Sequence, residues 1–195
     1  MKNMFKFSAV LSAYTVVACV GLAFVYTATA PLIEASAAKA VNEALVEIFP
    51  EAGDFEDVTG TIDSGDEKIL FTKAYLAKNV DSVLGMIIQV SGPTYGKATI
   101  LVGVDTRRTL KPIKFMELTD TPGLGAKAST DPFKNQFTGK SLDDPFKAGT
   151  AGSSSDIAAI SGATITSKAV AKIVSLTGLK AGAYLADKYP VQEQE

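Results

Sequence analysis

The chain has 195 residues, 47% of them apolar, with 19 basic and 21 acidic side chains and a formal net charge of −2; this suits one ordinary domain with a short appendage, and with no basic patch it excludes nucleic acid as an expected partner. Histidine is absent and cysteine occurs once, which removes the usual transition-metal and iron–sulfur sites, Cys/His catalysis, the Ser-His-Asp triad and any intramolecular disulfide. Redox chemistry, if the chain performs it, must therefore reside on a bound organic cofactor or on a partner.

The slightly positive mean hydropathy, +0.19, comes from the N-terminus. Phe7 to Ile33 carries no charge, Lys2 and Lys6 precede it and Glu34 follows. Roughly 20 apolar residues span a bilayer's hydrocarbon core, so Phe7–Ala30 is long enough to cross. The positive-inside rule then puts residues 1–6 in the cytoplasm, the anchor at 7–30 and a domain of residues 31–195 on the extracytoplasmic (periplasmic) side of the cytoplasmic membrane. Ala28-Thr29-Ala30 resembles a signal-peptide cleavage site, but the apolar run exceeds an ordinary signal core. Val16-Val17-Ala18-Cys19 loosely resembles a lipoprotein box, yet the residues after Cys19 stay apolar. The segment reads as an uncleaved, single-pass anchor.

Pro31 to Pro50 reads as a helix with Pro31 in its first turn, continuing or kinking from the anchor, and with Val41, Leu45, Ile48 and Phe49 on one apolar stripe. Strands are expected at Lys68–Ala77, Val80–Val90, Lys97–Val104 and Pro112–Leu118, each rich in Ile, Val, Leu or Phe. Asp63-Ser64-Gly65-Asp66, Lys78-Asn79 and Ser91-Gly92-Pro93 are the expected turns. Short connections favour antiparallel pairing, so the fold class is α+β: an N-terminal transmembrane helix, then a domain with an antiparallel sheet packed by helices. Thr119 to Gly152 reads either as a surface loop pinned by Phe133, Phe137 and Phe146 or, since loops this long are uncommon, as a functional segment. Ala151 to Ser155 reads as a flexible lead-in. A last helix is expected at Thr166–Leu185, with Val170, Ile173, Val174 and Leu179 towards the core and Thr177 extending the stripe. Gly178 and Gly182 either weaken it or allow close packing. The tail Gln192–Glu195 is polar.

Two segments carry chemistry. In Ser161-Gly162-Ala163-Thr164, at the start of the last helix, Gly162 and Ala163 let a large group approach the backbone, and Thr164 offers a hydroxyl. A helix N-terminus has unpaired N–H groups suited to phosphate; equally, a Thr there is ordinary capping chemistry. The second segment is Thr121-Pro122-Gly123-Leu124-Gly125, which reads as a loop bringing backbone N–H groups and Leu124 to a ligand or as an ordinary turn.

These residues resemble the FMN-binding domain of Rnf and Na⁺-translocating NADH:quinone reductase complexes. Ser161-Gly162-Ala163-Thr164 resembles the flavinylation motif, in which the last Thr is esterified to the FMN phosphate. Thr121–Gly125 resembles the Glu-Thr-Pro-Gly-Leu-Gly loop near the flavin, with Asp120 in place of Glu. Phe133 to Ser141 and Tyr95-Gly96 match in order, and with the anchor the resemblance spans nearly the whole chain. An Asp usual three residues before the Ser is Ala158 here, with Asp156 the nearest acid. Chain length and motif order are more like the G subunit of the Rnf complex than the longer C subunit of the quinone reductase.

The resemblance implies an electron-carrier subunit rather than a stand-alone enzyme, in a membrane-bound ion-translocating oxidoreductase of the ferredoxin:NAD⁺ type. It implies covalent FMN on Thr164, with Ser161, Gly162, Ala163, Thr121, Pro122, Gly123, Leu124, Gly125 and Tyr95 as cofactor-binding candidates; Lys127 and Asp120 are weaker ones. Other subunits of the complex, a flavin transferase that loads the cofactor, and the membrane are the implied partners. The rivals are a cofactor-free anchored binding module and an anchored extracellular flavoprotein serving external acceptors.

Overall fold

In the computed structural model the described residues are 2–80, 82–143, 145–149 and 156–190, with side chains from Lys6 onward. The expected lead-in at 151–155 and the tail at 192–195 lie outside them. The chain divides into two units, one ending at Asn42 and one from Glu43 onward.

The first helix, α1, is a single run, Lys2–Ile48, with Pro31 inside it. The expected new helix start at Pro31 is therefore corrected to an interior position. A proline there removes one backbone hydrogen bond and crowds the preceding turn, but the alanine-rich sequence on both sides has high helix propensity and carries the helix through. The hydroxyls of Thr15, Thr27 and Thr29 donate to carbonyls of the preceding turn, Leu11, Ala23 and Val25, as small hydroxyls in an apolar helix do. Cys19 is exposed on α1. Phe7, Leu11, Val17, Val20 and Leu22 are all exposed too.

In the second unit, β1 (Asp54–Asp57), β2 (Leu70–Asn79), β3 (Ser82–Pro93), β4 (Lys97–Asp105) and β5 (Lys114–Leu118) form an antiparallel sheet in chain order. Two expected turns belong to strands instead: Asn79 pairs with Ser82, and Pro93 with Lys97. The β3–β4 turn is thus Thr94-Tyr95-Gly96. Gly92 has a packing role: a Cβ there would meet Ile173 at 2.8 Å, so it marks where a helix crosses the sheet closely.

That helix is α3 (Thr164–Lys188), longer at both ends than expected. Met86, Ile88 and Val90 of β3 and Ile100, Val102 and Val104 of β4 join its Val170, Ile173, Val174, Ala181 and Leu185 in one buried cluster. The alternate residues Ile87 and Leu101 are buried on the opposite face. There Ile48 and Phe49 stand close enough that a side chain at Gly103 would collide with them, and the Lys111 ammonium lies 5.3 Å from the Phe49 ring centre.

Between sheet and α3 the described residues of the stretch from Thr119 are structured. They contain a 3₁₀ turn (Gly125–Ser129), the short helix α2 (Asp131–Lys134) and β6 (Lys147–Gly149), which pairs in parallel with β7 (Asp156–Ala158). Phe133, Phe137 and Phe146 are buried and meet edge to face, with ring centres 5.6 and 6.0 Å apart. This segment covers the outer side of α3. A Cβ on Gly178 would meet Leu142 at 2.5 Å, so that glycine permits close packing. Thr177 is fully buried, its hydroxyl donating to the Ile173 carbonyl at 2.7 Å. Leu179, expected in the core, is half-buried.

Candidate functional site

The chain enters α3 through a tight turn. The Ala163 N–H donates to the Ile160 carbonyl at 3.0 Å, and Gly162 has φ +76°, a conformation in which a side chain is strained. Ser167 ties this turn to the helix: its hydroxyl donates to the Ala163 carbonyl at 2.9 Å and accepts from the Ile160 N–H at 3.0 Å. The cap residue is Ala163, and no side chain makes a capping hydrogen bond. Thr164 is therefore the first helical residue and not a cap. It is exposed, and its hydroxyl donates to no other described residue. The first-turn N–H groups are left for something other than a capping side chain.

A cleft of about 410 Å³ opens at this helix end, lined by Tyr95, Thr121, Leu124, Gly125, Gly162, Ala163, Thr164, Ile165 and Thr166. Three segments far apart in sequence thus meet: the β3–β4 turn, the loop after β5 and the start of α3. Tyr95, Leu124 and Ile165 are 70%, 45% and 62% exposed, so the cleft has an apolar rim open to solvent. Tyr95 stands at this rim and not in the core. Of the expected site residues, Ser161, Pro122 and Gly123 are exposed but do not line the cleft. Gly123 has φ +78° and serves the loop's turn. Lys127 lines a separate hollow with Gln136 and Ala158. A wider groove of about 540 Å³ along α3, floored by Phe146, Leu176 and Leu179, contains no residue of either motif.

Asp120 holds the three segments together. It is 5% exposed. Its Oδ1 accepts from the Thr94 hydroxyl and, at 2.9 Å, from the Gly96 N–H; its Oδ2 accepts from the Thr166 hydroxyl. Burial alone raises this carboxyl's pKa, but the hydrogen bonds from Thr166, Thr94 and the Gly96 and Tyr95 N–H groups outweigh it, so the carboxyl lies below the ordinary range. Gly125 packs directly on this network: a Cβ there would lie 2.6 Å from Asp120 Oδ2 and 2.7 Å from Thr166 Oγ1. Gly96 is constrained likewise, since its Cβ would meet the Thr119 carbonyl at 2.6 Å. From sequence, Asp120 is only a weak candidate, Thr166 is placed in the Ser161–Ser167 segment without a role of its own, and Thr94 is not singled out. The available signal was Asp120's place directly before the Thr121–Gly125 loop.

Upstream, Ala158 is exposed at the end of β7. Its N–H donates to Gln136 Oε1 at 2.8 Å and its carbonyl accepts from Gln136 Nε2 at 3.4 Å. Asp156, the nearest acid, opens β7 and is half-buried.

An uncapped helix start with an exposed hydroxyl, at a cleft with an apolar rim, suits a phosphorylated, planar cofactor, and residues 86–177 match the FMN-binding domain family. The chain is 34% identical over 189 residues to the G subunit of the Na(+)-translocating ferredoxin:NAD(+) oxidoreductase complex of Acetobacterium woodii, covering 90% of each protein. It is 32% identical over 173 residues to the G subunit of the ion-translocating oxidoreductase complex of Methanosarcina acetivorans, covering 87% of this chain and 89% of that one. The fold resembles the crystal structure of Shewanella oneidensis NqrC, with a TM-score of 0.51 over 72% of each chain at 17% identity. The chain carries an FMN-binding domain and belongs to the family of G subunits of ion-translocating oxidoreductase complexes.

Proposed function

We propose that this cleft seats FMN, joined to the Thr164 hydroxyl oxygen by a phosphoester, and that the chain is the flavin-carrying subunit of an Rnf-type complex. The observation that carries the reading is the exposed Thr164 hydroxyl at an uncapped helix start. FMN supplies one-electron and two-electron redox chemistry when bound; the chain supplies position. Uncapped N–H groups at the start of α3 and the helix dipole favour the phosphate. Gly162 and Ala163 leave room for it. The side chains of Tyr95, Leu124 and Ile165 offer apolar surface to the ring. Thr164 is a tether and takes no part in turnover. An unactivated threonine hydroxyl is a poor nucleophile and the chain has no histidine to assist it, so a separate flavin transferase makes the link. The threonine O–P bond forms as the pyrophosphate bond of FAD breaks, AMP leaves, and the hydroxyl proton goes to a base of the transferase.

The apolar part of α1 anchors the chain at 7–30, with residues 1–6 cytoplasmic and residues 31–195 on the other side of the membrane. Support comes from its mean hydropathy of 2.1 with none of it buried, and from Lys2 and Lys6 ahead of it. A covalent tether suits that side, where a dissociated cofactor would diffuse away. Electrons pass to and from centres in the other subunits.

The test is intact mass with peptide mapping on chain coexpressed with the transferase and exported. FMN less one water on the Thr164 peptide is expected, and Thr164→Val should lose it completely with the fold intact. Covalent flavin persisting in that variant would rule out Thr164. An unmodified wild-type peptide, with the transferase active on a control protein, would favour the cofactor-free binding module.

A further inference from the structure

We propose that Asp120 is a positioning residue for flavin attachment: its carboxylate joins the β3–β4 turn to the first turn of α3 and thereby sets Tyr95 and Thr164 in the geometry that accepts and holds the flavin. The inference rests on the flavin reading above. Its basis is the division of labour between the two carboxylate oxygens. Oδ1 is bonded by Thr94 and Gly96, the residues on either side of Tyr95, and Oδ2 by Thr166, two residues after Thr164. A shift of either oxygen moves one wall of the cleft against the other.

The arrangement needs a carboxylate in particular. Asp120 forms no ion pair among the described residues; neutral hydroxyl and N–H donors surround its charge, and hydrogen bonds to an ionised acceptor are about twice as strong as neutral ones. Asparagine has nearly the same shape but only one accepting oxygen. Whichever way its amide turns, its NH₂ faces either the Gly96 N–H or the Thr166 hydroxyl. The first contact is donor against donor; the second survives only if the hydroxyl reverses and gives up its own donation. Gly125 closes the remaining space, leaving no room for the network to slide. Asp120 does not line the cleft, so it acts through Tyr95, Thr164 and Thr166.

The experiment uses the full-length chain in detergent with the flavin transferase and FAD. It follows the initial rate of covalent flavin incorporation, the flavin midpoint potential and the thermal transition, for wild type, Asp120→Asn and Thr166→Val. Asp120→Asn is expected to load at least about tenfold more slowly, the scale of a lost charged hydrogen bond. Flavin that does attach should show a raised potential, because a nearby negative charge that disfavours the reduced ring has been removed. Loading within about twofold of wild type at an unchanged potential, with only a lowered Tm, would overturn the proposal and leave Asp120 a purely structural residue. If Asp120→Asn shows no cooperative transition, Thr166→Val, which deletes only the Oδ2 donor, decides on the same criteria. Wild-type chain left unmodified by a transferase active on its control would overturn the flavin reading, and this role with it. Loaded wild type with unaffected variants would overturn this role alone.

Discussion

Helices α1 and α3 are both long and apolar enough to cross a bilayer, yet their surroundings are opposite. The most apolar window of α1 is entirely unburied, whereas 56% of that of α3 is buried inside its own domain. The difference lies in what interrupts the apolar residues. On α3, Gly178 admits Leu142, and the buried hydroxyls of Thr166, Ser167 and Thr177 are all hydrogen-bonded. On α1, Gly21 has no atom within 4 Å of where a side chain would go, and threonine hydroxyls turn back onto their own helix. Gly178, Thr166 and Ser175 of α3 thus meet partners elsewhere in the domain, Leu142, the Asp120 carboxylate and the Phe146 N–H, whereas Thr177 and the threonines of α1 bond back to their own helix.

Paired substitutions sharpen this contrast. Val174 is fully buried in the core and Val20 is 63% exposed. Val174→Asp should abolish the domain's cooperative unfolding transition in circular dichroism, since a buried unpaired carboxylate costs more than about 4 kcal/mol. Val20→Asp should leave that transition unchanged but lower the fraction retained in washed membranes, at about 3 kcal/mol against insertion. Loss of the transition in the Val20 variant would break the comparison. Next in size, Gly178→Val should destabilise the domain by about 1–3 kcal/mol through overpacking against Leu142, while Gly21→Val should change urea unfolding by less than about 0.5 kcal/mol. Equal effects would mean that the close approach to Leu142 does not matter.

The smallest effect is in acid. Asp120's folded pKa is depressed, so its contribution is fully present above the unfolded value, about 3.9, and is lost as pH falls through the folded value. Wild-type urea midpoints should therefore fall more steeply below pH 4 than those of Asp120→Asn. Parallel curves would show that the carboxylate adds no pH-dependent stability.

Where an element is buried, the sequence was readable. Runs rich in Ile, Val, Leu and Phe between turn residues located β2 to β5 to within a few residues, and the stripe Val170, Ile173, Val174 located α3. Leu45, Ile48 and Phe49 are buried as their spacing suggested. The misses have physical causes. β1 (Asp-Phe-Glu-Asp) is a polar edge strand with only Phe55 to mark it. Gly92 and Pro93 look like a turn because the close approach of Ile173 demands a small residue and the strand ends on proline. The segment from Thr119 lacks periodicity because its order comes from an aromatic cluster and one carboxylate. At the candidate site, the two motifs were visible as local strings and the structure brings them to one cleft. What joins them was not, since Asp120's partners Thr94 and Thr166 lie 26 and 46 residues away.

The sheet is a meander whose strands follow chain order, so each pairs with a neighbour as soon as that neighbour has emerged. The cleft is assembled on a later schedule. Two of its walls come from the middle of the chain, but the third, with Thr164, belongs to α3, the last of the described elements. Until that helix docks, Asp120 has no Thr166 to hold and Thr164 stands on no helix end. On the proposed reading, cofactor loading would therefore be a finishing step: a nascent chain presents the threonine without the cleft, and only the folded domain presents both.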